Sequence, residues 1–404
     1  MSVTPTTSAN LGPANRLVSL DVFRGIIVAG MILVTDPGTY DAIYPQLRHA
    51  EWTGATATDM IFPSFLFMVG MSVALSIRAR LSRGVSKPHI ASRVFYRTVL
   101  LFVLGLAING FPDYNWHLLR LPGILQRIAV CYFCCAMLYL YLNYFGADNA
   151  DRGKLNNNLL KPGMVAAILL LGYWALIRLV PVPGIGTGLL DSYGNLPAYI
   201  DRSVIGINHM WAYGLTPGRG VTYDPEGILS TLPAMASAFI GLMAGEWWLR
   251  TSAGPYKKIL IFGVSGVILI VASVALATVL PVNKRIWTSS FALISSGVAI
   301  ILFTVIYFVV DLKQWRKWSV PFLIFGTNAI LAFIISSVIT TLFDRISIFA
   351  SNGKSLSIHE WGNHLGLSLG LSPVNASLLY ALVIVLLNMA LVLPLYHKKI
   401  FLKI

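Results

Sequence analysis

The hydrophobic pattern leaves this chain few folds. Apolar runs near 18–36, 58–78, 94–111, 120–142, 163–180, 227–249, 258–280, 289–310, 319–342 and 375–396 follow one another between polar breaks. Most approach the ~20 residues that carry a helix across a bilayer core. In lipid the backbone must satisfy its own hydrogen bonds, so such runs fold as helices. The chain is expected to be an all-α integral membrane protein of about ten transmembrane helices. Its 404 residues are 56% hydrophobic and 11% charged, outside the range of a soluble chain of this length. No helix-pair repeat of fixed period is visible. Residues 16–404 read as one domain with a long loop near 181–226. Residues 1–15, rich in Thr, Ser, Asn and Pro, read as a disordered tail. The first apolar run lacks a small-residue cleavage pattern, so no cleavable signal peptide is expected.

The net charge of +14 does not point to nucleic acid, because the basic residues fall in short clusters between spans. That pattern sets membrane orientation. With the amino terminus in the cytoplasm, cytoplasmic segments hold 19 Lys and Arg and the opposite face holds 8. Both termini are therefore expected to be cytoplasmic. Cys131, Cys134 and Cys135 share one apolar span and read as packing residues.

Residues 47–70, LRHAEWTGATATDMIFPSFLFMVG, join the first two spans. His49 stands just before the membrane and can act as base or nucleophile near neutral pH. Asp59, just inside the second span, is costly to bury and so a functional candidate. It also reads as a cap, since Thr58-Asp59 precedes an apolar run. Asp21 and Arg24, three apart in the first span, can pair. Their alternative use is as an anion site facing the cytoplasm. Gln126 and Arg127 lie about 10 Å deeper than Arg120 by helical rise. Two adjacent polar groups there favour a ligand role for Arg127.

The outer loops hold more polar clusters. Asp224 and Glu226 flank Pro225, where they can bind a cationic acceptor or cap a helix. Asn283, Lys284 and Trp287 stand at another outer mouth, Trp287 with the alternative role of interfacial anchor. Gly184, Gly186 and Gly188 lack the strand–turn–helix setting of a dinucleotide loop. His359 and His364 are five apart, one too many for a helical zinc pair, so no metal site is expected. No nucleophile elbow or phosphate-binding loop is present in the sequence. From the residues alone, transporter and membrane transferase stand nearly level.

The runs SLDVFRGI, LRHAEWTG, TDMIFPSFLFMVG and RLPGILQR, followed by VPGIGTG, AYIDR, YDPEGIL, PVNKRIWT, GTNAIL and KKIFLKI, resemble the heparan-α-glucosaminide N-acetyltransferase family of transmembrane acyltransferases. The resemblance covers nearly the whole chain after residue 15 and has the look of a short bacterial-type member without the luminal extension of the animal enzymes. It implies acetyl-CoA as cytoplasmic donor, no metal, and an amino sugar such as glucosamine as acceptor across the inner membrane. The family's catalytic histidine falls on His49, with Asp59 as its orienting carboxylate. Arg16, Arg24, Gln126, Arg127 and Lys403 fall where donor contacts are expected. Asp36, Trp52, Asp224, Glu226, Asn283, Lys284 and Trp287 are the expected acceptor contacts. Thr35-Asp36 departs from the family's asparagine, which puts the carbonyl-stabilising arrangement in question. His117 receives no role. A homodimer is compatible with the family. The alternatives are an amino-sugar transporter and an envelope-glycan O-acyltransferase.

Overall fold

The structure, a computed structural model, describes residues 17–144, 160–349 and 355–400. Arg16 and Lys403 lie outside them, as does the expected tail. In chain order the helices are α1 (Val18–Thr35), α2 (Ala57–Leu81), α3 (Lys87–Gly110), α4 (Ile124–Tyr144) and α5 (Lys161–Leu179). Then come α6 (Leu196–Val204), α7 (Thr231–Arg250), α8 (Pro255–Ala277) and α9 (Ser289–Tyr307). The last are α10 (Val320–Thr327), α11 (Ala329–Arg345), α12 (Ile358–Ser368) and α13 (Pro373–His397). The sheet content among the described residues is three short antiparallel hairpins. Two of them lie in the 181–226 loop.

Eight helices, α1–α5, α8, α9 and α13, are long and apolar enough to cross a membrane. Apolar residues also cover their outer faces: Leu260, Val264, Ile268 and Val271 of α8 are all exposed. A helix apolar on both faces needs lipid or protein all round it. The run expected at 319–342 is broken instead. It forms α10 and α11, bent by 77° at Asn328, and counts as a ninth span if the two are taken together. The run at 227–249 becomes α7, which is not among the eight and is buried along most of its length.

Close helix crossings rest on glycine. A Cβ on Gly70 of α2 would fall 1.8 Å from the Ala238 carbonyl of α7, and one on Gly241 would fall 1.9 Å from that of Phe67. Gly25 and Gly326 make the same reciprocal contact between α1 and α10. Small residues bring backbones together where no hydrophobic force between helices exists, because lipid is equally apolar.

The loops expected on one face meet at one end of the bundle. Trp52 donates its indole N–H to the Leu190 carbonyl at 2.8 Å, and the Gly54 N–H reaches the Val282 carbonyl at 2.7 Å. Arg120 pairs with Asp224, and His359 reaches the Pro37 carbonyl at 2.8 Å. At the opposite end the Ser19 N–H donates to Asp311 at 3.1 Å.

Candidate active site

His49 sits in the α1–α2 loop, held by the first turn of α2. Its Nδ1 lies 2.7 Å from Asp59 Oδ1. The other carboxylate oxygen accepts the Ala50 and Thr56 N–H groups at 3.1 and 3.0 Å and the Thr56 hydroxyl at 3.1 Å. Thr56 is the N-cap of α2 and Asp59 its third residue, a capping box. One oxygen caps the helix and the other fixes the imidazole. A carboxylate so fully donated to is ionised, so Nδ1 carries the proton and Nε2 keeps its lone pair. Asp59 is 1% exposed whereas the His49 side chain is 38% exposed, so the imidazole is the accessible member of the pair.

Lys284 completes the cluster. Its Nζ lies 3.0 Å from Nδ1, 3.3 Å from Nε2 and 3.5 Å from Asp59 Oδ1. An in-plane approach at near-equal distances to both ring nitrogens would drive the ammonium into Cε1. It therefore lies over the ring face and leaves the Nε2 lone pair free. The connection is local: Gly54 pairs with Asn283 as a parallel bridge, which seats the 282–288 turn on the His49 loop. Gly54 has φ +102°, a conformation that favours glycine.

Burial lowers the His49 pKa below the ordinary histidine value. The Asp59 hydrogen bond opposes this shift, and the nearby Lys284 and Arg285 charges reinforce it. Burial likewise lowers the Lys284 pKa, while the Asp59 and Glu226 charges raise it. The imidazole is thus neutral at neutral pH.

The other expected acceptor residues divide. Trp52 packs edge-on against Tyr223 with centroids 5.0 Å apart, and Tyr223 meets Trp211 at 6.4 Å. These rings form an aromatic wall in the outer loop, of which sequence reading found only Trp52. Asp224 and Glu226 are engaged by Arg120, at 2.6 Å each from Nη2. Burial raises the Glu226 pKa, but the Arg120 and Arg127 charges outweigh it and hold the group below its ordinary value. Neither acid caps α7, whose N-cap is Ser230. Asn283 accepts the Ile286 N–H at 3.1 Å and shapes its own turn. Trp287 is 1% exposed and packs on Phe62 and Phe291, so it is a core residue rather than an interfacial anchor. Asp36 accepts the Ser336 and Thr340 hydroxyls at 3.0 and 2.5 Å. It ties α1 to α11, with no contact to His49 among the described residues.

The three described donor candidates, Arg24, Gln126 and Arg127, engage different partners among the described residues. Arg24 reaches Asp21 at 3.3 Å, the Gly326 carbonyl at 3.2 Å and the Ser72 hydroxyl at 3.2 Å. It clamps α1, α2 and α10. Gln126 donates to the Leu121 carbonyl at 3.2 Å and packs on Gly105 of α3. Arg127 faces elsewhere, donating to Gly227 and Ser230 with its guanidinium 5.1 Å from the Trp287 ring. Its Nε and Nη1 are buried and have no partner among the described residues. No group of three or more His, Cys, Asp or Glu able to hold a metal ion occurs among the described residues.

Fold and site define a polytopic α-helical membrane protein with a carboxylate-oriented histidine where one end of the bundle meets its loops. Residues 16–144 match the family described as "Heparan-alpha-glucosaminide N-acetyltransferase, catalytic". The chain is 32% identical over 422 residues to human heparan-alpha-glucosaminide N-acetyltransferase, covering 96% of this chain and 60% of the human protein. It is 31% identical to the mouse protein, covering 82% of this chain and 54% of that one. The chain thus spans a little over half the length of the relatives it matches, and the resemblance read from the motifs is shown across most of the chain.

Proposed function

We propose that this protein is a membrane N-acetyltransferase that moves the acetyl group of acetyl-CoA to the amine of glucosamine or a related amino sugar. The observation that carries the reading is the His49–Asp59 pair at the bundle end, with Nδ1 2.7 Å from the carboxylate and Lys284 Nζ 3.3 Å from Nε2. The similarity to heparan-alpha-glucosaminide N-acetyltransferases supports the reaction type.

The chemistry follows from the free Nε2. The sugar amine attacks the thioester carbonyl carbon, the C–N bond forms and the C–S bond breaks. Nε2 takes the amine proton and CoA leaves as thiolate, later protonated. In the two-step version Nε2 itself attacks, releases CoA and passes the acetyl group to the amine. Asp59 serves both routes by holding the tautomer and stabilising positive charge on the ring. Lys284, above the ring, offers a fixed positive charge to the carbonyl oxygen as it becomes negative. The Trp52–Tyr223 wall offers a sugar ring an apolar face. The unpartnered nitrogens of Arg127 suit an acyl or phosphoryl oxygen of the donor.

Bundle geometry fits a donor from the end opposite His49, which we assign to the cytoplasm on the charge asymmetry. The test uses sealed proteoliposomes with acetyl-CoA on one side and labelled glucosamine on the other. Labelled N-acetylglucosamine on the acceptor side supports the proposal. The break at Asn328 is also a feature of transporters. Sugar crossing unmodified without acetyl-CoA would replace this reading with transport, and acetyl ester on a hydroxyl would make it an O-acyltransferase.

A further inference from the structure

The chain that leaves α9 makes an ordered turn at the end of the bundle opposite His49. α9 closes in a wide turn over Phe308–Leu312, and Gln314 has φ +58°. The Trp315 N–H donates to the Val309 carbonyl at 3.0 Å, and Arg316 Nε donates to the Val310 carbonyl at 3.2 Å. Asp311 accepts the Ser19 N–H of α1 and lies 3.7 Å from Arg316. These bonds fold the turn back on α9 and fix which side chains face outward.

The outward side chains mix cations with indoles. Lys313, Trp315, Arg316, Lys317 and Trp318 are all exposed, Trp315 at 66% and Trp318 at 43%. Asp311 answers the charge of Arg316, whereas Lys313 and Lys317 have no carboxylate partner among the described residues. Indoles favour the headgroup level of a bilayer, and Lys and Arg at that level are drawn to anionic lipid.

The next helix lies as this requires. Lys317–Thr327 is bent by 77° from α11. α11 runs along the bundle, since its Ser336 and Thr340 reach Asp36 at the far end of α1. The Lys317–Thr327 segment therefore runs across the bundle, close to the plane of the membrane that α11 crosses. It buries Ile324, Phe325 and Gly326 and leaves Trp318 and Val320 exposed. That is the posture of an interfacial helix rather than of a span.

We propose that residues 313–321 are a docking surface for an anionic phospholipid. The headgroup phosphate is drawn to Lys313 and Lys317, and the Trp315 and Trp318 rings lie against the glycerol and upper acyl region. The surface is tied to α1 through Asp311 and through the close Gly25–Gly326 crossing, so a bound lipid braces the packing of α1 on α10.

The purified full chain in neutral detergent would be titrated with phosphatidylglycerol, phosphatidylcholine or glycerol 3-phosphate, with Tm read at each step. Phosphatidylglycerol alone is expected to raise Tm. In Lys313→Gln/Lys317→Gln the midpoint of that rise should move about 30-fold to higher lipid, each cation near a membrane surface being worth about fivefold. Salt should move the wild-type midpoint in the same direction. Arg83→Gln/Lys257→Gln removes equal charge from exposed positions in the α2–α3 and α7–α8 turns at the same end. It should leave the midpoint within about twofold, because charges beyond a Debye length are screened. Equal shifts in the two double variants would overturn the site, since the attraction would then be spread over the whole end. An equal Tm rise with phosphatidylcholine or glycerol 3-phosphate would overturn the anionic lipid as its occupant. A change of oligomeric mass in Lys313→Gln/Lys317→Gln without any lipid effect would make the surface a contact between copies of this chain instead.

Discussion

At the scale of residues, His49 is governed by three neighbours acting in opposite directions. Its neutral form is the reactive one, and its lowered pKa keeps it neutral over most of the physiological range. Activity should therefore fall as pH drops through a value below the ordinary ~6.5 of histidine. A second limb at higher pH reports loss of the proton from the acceptor amine. Asp59→Asn removes a group that raises the His49 pKa, so the acid limb should move to lower pH, with kcat down about 10²–10⁴-fold. Lys284→Met removes a charge that lowers it, so the limb should move up. A pH–rate profile of the three proteins checks both signs. The sequence paired His49 with Asp59 but set Lys284 in a separate cluster. Asp59 and Lys284 lie 225 positions apart, and the Gly54–Asn283 bridge that joins them leaves no signature in one chain. Arg120 shows the opposite error of attention. It received no role from the sequence, but it holds Asp224 and Glu226, which did. Arg120→Ala should cost about 3–5 kcal/mol, because it leaves two buried acids unpaired. Chemical denaturation in detergent would measure it.

At the scale of elements, the helix starts explain most of the site. The pattern Thr56-x-x-Asp59 before an apolar run is a capping-box signature, and its true N-cap is Thr56 rather than Thr58. Thr56→Ala should destabilise by about 1 kcal/mol and loosen Asp59, so kcat should fall while Tm drops only a little. The α2–α7 crossing depends on Gly70 and Gly241. Gly241→Val has no space at the Phe67 carbonyl and is expected to abolish folded expression, read by size-exclusion profile. These contacts were not legible, because a lone glycine in an apolar run does not say which helix it meets. The break at Asn328 was equally hidden. The run 319–342 is long and apolar enough to span, and hydropathy does not register where a backbone bends.

At the scale of the whole molecule, the membrane class and eight of the ten spans were legible from run length alone, with a ninth if α10 and α11 are taken together, since the bilayer fixes what a run must be. The tenth, α7, is a helix at the expected place whose burial by neighbours relaxes its need for apolar residues. Loop pairing at one end matched the expected grouping, because alternating helices must return to the same face. What remained hidden was which polar groups meet across the bundle, and that depends on helix rotation. Arg127 and Gln126 are adjacent in sequence yet face different partners.

The central claim is acetyl transfer dependent on His49, and turnover tests it most directly. Purified protein would be given acetyl-CoA and glucosamine, and free CoA and N-acetylglucosamine would be measured beside His49→Ala. Stoichiometric formation of both products by the wild-type protein, lost in a His49→Ala variant of unchanged Tm, is the expected result. Equal turnover by the two proteins would contradict it.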